Sequence, residues 1–226
     1  MAIQLKSTKD VALDGIKITV YGDAGTGKTT LMGTAPNPII ISAEAGLLSL
    51  RNKDIPYIEV HNMDELFEAY EYILSEDGNQ FKTVCLDSIS EIAEIVLSDE
   101  KSKAKDPRQA YGALLDTYLQ LLRSFRDIPE KNIVFSAKME KQTMPDGSIK
   151  YYMMLPGNKA GQQTPYFFDE VLALRIFEDE ETKQPVRWLQ TQPDMQYIAK
   201  DRSGALEMFE PADLTYIFKK IGGSNE

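Results

Sequence analysis

Cysteine and histidine are almost absent: the 226-residue chain carries one of each, Cys85 and His61. A single cysteine excludes a disulfide scaffold. With one histidine beside it, no Cys- or His-based metal site can be built. Long apolar runs are missing too. None approaches the roughly 18–20 residues of a membrane span, and Met1-Ala2-Ile3-Gln4-Leu5-Lys6 lacks the apolar segment of a secretory signal. Positive charge is in deficit: 25 Lys and Arg stand against 35 Asp and Glu, a net charge of −10. The summed field repels phosphate polymers, so any nucleic-acid contact needs a local basic patch. What is present is globular. A 42% hydrophobic, 27% charged chain is too apolar for disorder and long enough for one sizeable core. The expectation is a soluble, cytoplasmic protein without a membrane partner.

No internal repeat, low-complexity tract or Pro/Ser-rich linker divides the chain. It reads as a single domain over 1–226, with an N-terminal arm at 1–15 and a flexible tail at 222–226. Strands are expected at Ile16–Tyr21, Ile39–Ser42, Tyr57–Val60, Thr83–Asp87 and Ile133–Ala137. Met63–Leu74 has the clearest helical period: Met63, Leu66, Phe67, Tyr70, Ile73 and Leu74 share a face behind Asn62 as N-cap. Ile89–Ser98 and Tyr111–Phe125 are further helices. Strands alternating with helices give an α/β fold with a mostly parallel sheet. After residue 140 the texture changes. Met144-Pro145-Asp146-Gly147 marks a turn. Val171–Phe177 and Val186–Gln192 flank the polar turn Glu178–Pro185 as an antiparallel hairpin, and Pro211–Ile221 closes the fold as a helix.

Gly22-Asp23-Ala24-Gly25-Thr26-Gly27-Lys28-Thr29 matches G-x-x-x-x-G-K-[ST] at every fixed position. Glycines let backbone N–H groups wrap phosphate oxygens, and the next helix adds its positive end. Lys28 would reach the β- and γ-phosphates of ATP, and the Thr29 hydroxyl would ligate Mg²⁺. Thr30 completes the binding set. The competing reading, a chance glycine-rich turn, lacks the preceding strand and the following apolar Leu31-Met32. Thr83-Val84-Cys85-Leu86-Asp87 supplies an apolar strand ending in a carboxylate that can hold Mg²⁺ through water. Cys85 within it reads as a small core residue rather than a nucleophile. Glu44 follows a strand end, the edge where α/β sheets bind ligands, and is the candidate for orienting a hydrolytic water. A solvated loop carboxylate is its bland alternative.

Three segments together resemble the RecA family. Ile41-Ser42-Ala43-Glu44-Ala45-Gly46-Leu47 is similar to the family's segment with the catalytic glutamate. Cys85-Leu86-Asp87-Ser88-Ile89 is similar to its second nucleotide motif. Ile198-Ala199-Lys200-Asp201-Arg202-Ser203-Gly204 resembles the lysine-x-arginine finger that reaches a neighbouring subunit's nucleotide. The pieces span about residues 15–205. Leu155-Pro156-Gly157-Asn158-Lys159 and Tyr166-Phe167-Phe168-Asp169-Glu170-Val171 resemble the short RecA-fold phage annealing proteins of the Sak group. The resemblance implies a RecA-like P-loop core, ATP and Mg²⁺ as cofactors, catalysis by Lys28, Glu44, Lys200 and Arg202, and a homo-oligomeric ring or filament. It also implies annealing of single-stranded DNA, a single-strand-binding protein as a further partner, and the cytoplasm of a bacterial host. Ser136-Ala137-Lys138 departs from the pattern. Where recombinases place an asparagine–glutamine pair, Lys138 carries a charge and accepts no hydrogen bond.

In that family two loops hold DNA. Here they correspond to about 99–110, with Lys101, Lys103, Lys105 and Arg108, and about 139–165, with Lys141, Lys150, Lys159 and the run Tyr151-Tyr152-Met153-Met154. Lysines would neutralise phosphates and aromatics could stack on bases. The alternatives are solvated lysines and tyrosines packed on the core. An oligomer would gather several weak patches on one axis. His61 reads as a surface-loop residue and Trp188 as core packing or a subunit contact. Asp169 and Glu170 read as a capped strand entry rather than a metal site. Two other functions share a phosphate loop. A helicase loader or related motor acting on protein partners would carry a helical lid, which the hairpin-rich C-terminal half opposes. A small-molecule kinase needs an arginine-bearing lid, and arginine is scarce in the stretch 52–107.

Overall fold

Strand segments that are apolar on both faces can be satisfied only inside a sheet covered on both sides. This pattern organises the computed structural model, which describes residues 5, 7–8, 15–44 and 46–223. The arm assigned to 1–15 and the tail assigned to 222–226 lie almost wholly outside those residues. The elements in chain order are β1 (Lys17–Gly22), α1 (Lys28–Met32), β2 (Pro38–Ser42), β3 (Tyr57–Glu59), α2 (Met63–Leu74), β4 (Thr83–Asp87), α3 (Ile89–Lys103) and α4 (Pro107–Arg126). Then follow β5 (Asn132–Thr143), β6 (Ile149–Met153), α5 (Asn158–Gln163), β7 (Glu170–Glu178), β8 (Pro185–Gln190), β9 (Lys200–Asp201), β10 (Phe209–Pro211) and α6 (Leu214–Gly222). No described helix is long and apolar enough to cross a membrane.

The sheet runs β10-β8-β7-β1-β5-β4-β2-β3, with β6 on β5 and β9 on β7. All pairs from β7 through β1, β5, β4 and β2 to β3 are parallel. β8 and β10 extend the sheet antiparallel, as the expected C-terminal hairpin requires. The pleat sorts the side chains. Val84, Leu86, Ile133 and Phe135 face α2, α3 and α4. Cys85, Val134, Ile18 and Leu172 face α1 and α6. Cys85 is fully buried on that second face, and burial pushes its thiol up, which fits packing and not nucleophilic chemistry.

Helix ends follow local chemistry. The Asn62 side chain accepts from Glu65 N at 2.9 Å, and the Glu65 carboxylate accepts from His61 N at 2.6 Å. This closes the first turn of α2 like a capping box. Two helices outrun their apolar faces. α3 continues past Ser98 to Lys103 because Lys101 and Lys103 suit the negative end of a helix. α4 starts at Pro107 rather than Tyr111, since Asp106 caps it and proline fits the first turn. The stretch 99–110 is therefore mostly helical rather than a loop.

The larger correction concerns 139–165. β5 does not stop at Ala137. It runs on to Thr143 and pairs antiparallel with β6, from Met139↔Met153 to Thr143↔Ile149. The turn sits where Met144–Gly147 places it: Gly147 has φ 82°, and Asp146 Oδ1 accepts from Ser148 N at 2.9 Å. α5 and a 3₁₀ turn at Thr164–Phe167 follow, so this segment is a hairpin and short helices. At the other end, Val186–Gln192 stops as a strand at Gln190, and the closing helix begins at Leu214, where Asp213 accepts from Tyr216 N at 3.0 Å.

Phe125 of α4 is fully buried, edge-on to Tyr70 of α2 with ring centroids 5.1 Å apart. Phe125→Ala is expected to lower unfolding stability by about 3–5 kcal/mol, read as a lower urea midpoint. An unchanged midpoint would show that α4 does not carry this core.

Candidate functional site

β1 delivers the chain to the sheet's carboxyl edge at Gly22, and the next residues fold into a cradle. Gly25 and Gly27 have φ of 75° and 98°, in the left-handed region that glycine tolerates. A Cβ on Gly22 would lie 2.8 Å from Thr26 Oγ1 and 3.0 Å from Leu174 O, so the loop closes tightly against β7. Lys28 Nζ donates to Gly22 O at 2.9 Å and Asp23 O at 3.0 Å. Its ammonium is held across the loop mouth. Burial lowers its pKa, while the charges of Glu44, Asp87 and Asp23 oppose that shift.

Three neighbouring strand ends meet this loop. Asp87 closes β4 and is buried. Thr29 Oγ1 donates to its Oδ2 at 2.5 Å, and Ser136 Oγ of β5 donates to its Oδ1. The Asp87 carbonyl accepts from Ala43 N at 2.8 Å and Glu44 N at 3.2 Å, which fixes the backbone just beyond β2. Glu44 Oε1 then accepts from Ser88 Oγ at 2.5 Å and stands 3.6 Å from Lys138 Nζ. Lys138 also pairs with Glu91, the contact that does most to raise its pKa. The cleft they enclose is about 630 Å³ and is lined by Gly25, Lys28, Thr29, Thr30, Glu44 and Asp87 among others. That volume accommodates a nucleotide. Thr29 and Asp87 present hard oxygen donors beside each other, the donor set Mg²⁺ takes when phosphate and water complete its shell.

The other expected site residues lie elsewhere. Lys200 and Asp201 form β9, which pairs with the start of β7 at Val171 and Glu170. Glu170 lies level with Ile18, four residues before Gly22, at the opposite edge of the sheet. Lys200 Nζ donates to Pro165 O at 2.8 Å, and Arg202 pairs with Asp169 at 3.0 Å. Neither meets its own chain's phosphate loop. Lys101 lies over the Tyr111 ring at 5.5 Å, Lys103 pairs with Asp99 at 2.5 Å, and Lys105 and Arg108 are exposed around the α3–α4 joint. On the β5–β6 hairpin Lys141 pairs across to Tyr151, and Lys150 to Gln142. Strand alternation therefore puts the two lysines on opposite faces. Tyr151 stacks on Tyr197 with centroids 4.5 Å apart, so its ring is already packed. Lys159 is exposed on α5.

Two cations on the cleft escape the sequence motifs. Lys138 stands out in sequence only as a charge where a neutral pair was expected, and its carboxylate partners emerge with the fold. Arg187 of β8 carries no sequence signal beyond its strand. Its Nε donates to Thr26 O at 2.7 Å, and it lines the cleft.

Residues 14–203 match the model of a family described as an AAA domain. A KaiC-like protein from the hyperthermophilic archaeon Pyrococcus horikoshii OT3 is a structural neighbour at 13% identity and a TM-score of 0.42, with 80% of each chain covered. No curated protein matches the chain.

Beside Lys200, Glu170 is fully buried and its Oε2 has no hydrogen-bond donor among the described residues. Burial, then the negative charge of Asp201, push its carboxyl up to about 8. The folded chain keeps this proton while the unfolded chain releases it near 4.5. This group therefore makes stability fall as pH rises from about 4.5 to about 8. Glu170→Gln should flatten that fall in melting temperature and raise stability most at pH 8. A variant with the wild-type pH profile would show that Glu170 does not titrate in this range.

Proposed function

The chain belongs to this AAA domain family, and from that premise we propose an Mg²⁺-dependent, oligomeric ATPase of RecA-like type that binds single-stranded DNA and promotes annealing or strand exchange in phage recombination. The observation that carries the ATPase half is the convergence of Lys28, Thr29, Asp87 and Glu44 on one cleft. Gly22–Thr30 wraps the triphosphate, and Lys28 neutralises its β- and γ-phosphates. The Thr29 hydroxyl and Asp87 would hold Mg²⁺, which would supply charge neutralisation on the transferred phosphoryl group. Glu44 orients the attacking water, with Lys138 Nζ 3.6 Å from its Oε1.

The DNA half rests on the resemblance to the Sak group and on the basic residues of the α3–α4 joint and the β5–β6 hairpin. Lys200 and Arg202 sit away from their own chain's loop, so their proposed role is at a neighbouring subunit's nucleotide in a ring or filament. Lys101, Lys103, Lys105, Arg108, Lys141, Lys150 and Lys159 of successive subunits would line the strand. A single-strand-binding protein is the proposed further partner, and the cytoplasm of a bacterial host the proposed location.

Glu44→Gln should cut the ATP turnover number about a hundredfold or more while leaving MgATP affinity intact. Unchanged turnover would remove Glu44 from the chemistry. Labelled single-stranded oligonucleotide followed by anisotropy should bind in a salt-sensitive manner, more tightly with MgATP. Lys28→Ala should abolish the ATP effect. The Lys101/Lys103/Lys105→Ala variant should lower the slope of log affinity against log salt by up to about 2. Absence of oligonucleotide binding at every salt concentration would sink the annealing function and leave the ATPase.

A further inference from the structure

Arg187 reaches the phosphate loop from the side of β1 opposite to Asp87 and Glu44. β8 lies two strands from β1 across β7, whereas β5, β4 and β2 lie on the other side. The side chain crosses directly over the loop. A Cβ on Gly27 would stand 2.8 Å from Arg187 Nε and 3.3 Å from its Cδ, so glycine at 27 leaves the room that the arginine occupies. Nε donates to Thr26 O at 2.7 Å, which fixes the plane of the guanidinium. A backbone carbonyl satisfies one donor but neutralises no charge. No carboxylate among the described residues lies within ion-pair distance of Arg187. The residue stays exposed and lines the same cleft as Lys28 and Thr30. The guanidinium has four further N–H donors, in a planar fork suited to phosphate oxygens.

We propose that Arg187 is a nucleotide-binding residue that grips the diphosphate portion shared by ATP and ADP; this rests on the cleft being a nucleotide site. Lys28 reaches toward the terminal phosphate, the end where Glu44 just beyond β2 and Asp87 of β4 act through water and Mg²⁺ rather than by direct contact. A cation arriving over Thr26 and Gly27 from β8 meets the phosphate chain from the far side. Arg187 thus contributes binding that is equal before and after hydrolysis, and none that is specific to the γ-phosphate.

The test is calorimetric titration of the 226-residue chain with MgADP and with a non-hydrolysable Mg²⁺–ATP analogue, on wild type, Arg187→Ala, Arg187→Gln and Arg187→Lys. Loss of a charge-assisted hydrogen bond to phosphate should raise Kd about tenfold or more for Ala and Gln. The rise should be the same for both nucleotides, and Lys should fall between because it keeps the charge but not the fork. Wild-type affinity in Arg187→Ala, or a loss confined to the triphosphate, would overturn the assignment. Wild-type protein that bound neither nucleotide would overturn the nucleotide site itself, and the role of Arg187 with it. Thermal melts of all four proteins separate lost binding from lost folding. Should Arg187→Ala melt early, the Gln and Lys variants decide the matter.

Discussion

The buried carboxylate of Asp87 is the interaction on which the cleft depends. Its two oxygens are taken by hydroxyls from two different elements, Thr29 at the start of α1 and Ser136 in β5. Its carbonyl accepts from the Ala43 and Glu44 amides beyond β2. One residue therefore ties the phosphate loop to three strands. A charge at this depth is tolerated only while its hydrogen bonds are made. The tight spacing of Thr29, Glu44 and Ser136 is thus a condition of folding as well as of chemistry. The strand between β1 and β4 matters in the same way, since β5 supplies Ser136 and, two residues later, Lys138.

The legible parts of the fold were those written in contiguous residues. The phosphate loop is a fixed local spacing, and β4 is an apolar run ending in Asp87. Both require only neighbours in sequence. α2 could be read to the residue because its apolar period and its Asn62–Glu65 cap coincide. The failures share a cause. The second half of β5 is half-exposed and polar, and its strand character comes from β6, so no pattern within 138–143 announces it. Charged residues at the end of α3 looked like a solvated loop, whereas they favour the helix terminus.

Contacts made across long sequence separations were the least legible. Arg187 meets Thr26 across 161 residues, and Lys138 meets Glu91 across 47. Neither lies within a motif. Tyr151 shows the converse case: a tyrosine in a lysine-bearing hairpin looks free to stack on a ligand, yet Tyr197 covers it, and Arg175 lies over the Tyr197 ring at 4.2 Å. Residue type suggested the chemistry, and topology decided which groups were left to perform it.

The root of the β5–β6 ribbon has a mechanical meaning. Lys138 O accepts from Met154 N at 2.7 Å, and Ser90 Oγ bridges Lys138 N at 2.9 Å and Met154 O at 2.7 Å. Both strands of the ribbon are thereby pinned to the first turn of α3, one residue from Glu91 and two from Ser88. Beyond that root the ribbon is held again at its middle, where Tyr151 N donates to Gln196 O at 2.8 Å and the Tyr151 ring stacks on Tyr197. Past that second anchor only the pairs Gln142↔Lys150 and Thr143↔Ile149 and the turn project, so the ribbon is a strut between α3 and the segment that carries Tyr197. Small adjustments around Glu44 and Lys138 would thus be handed along the strut to Tyr197 and to Arg175, which lies over its ring, rather than spent at a free tip.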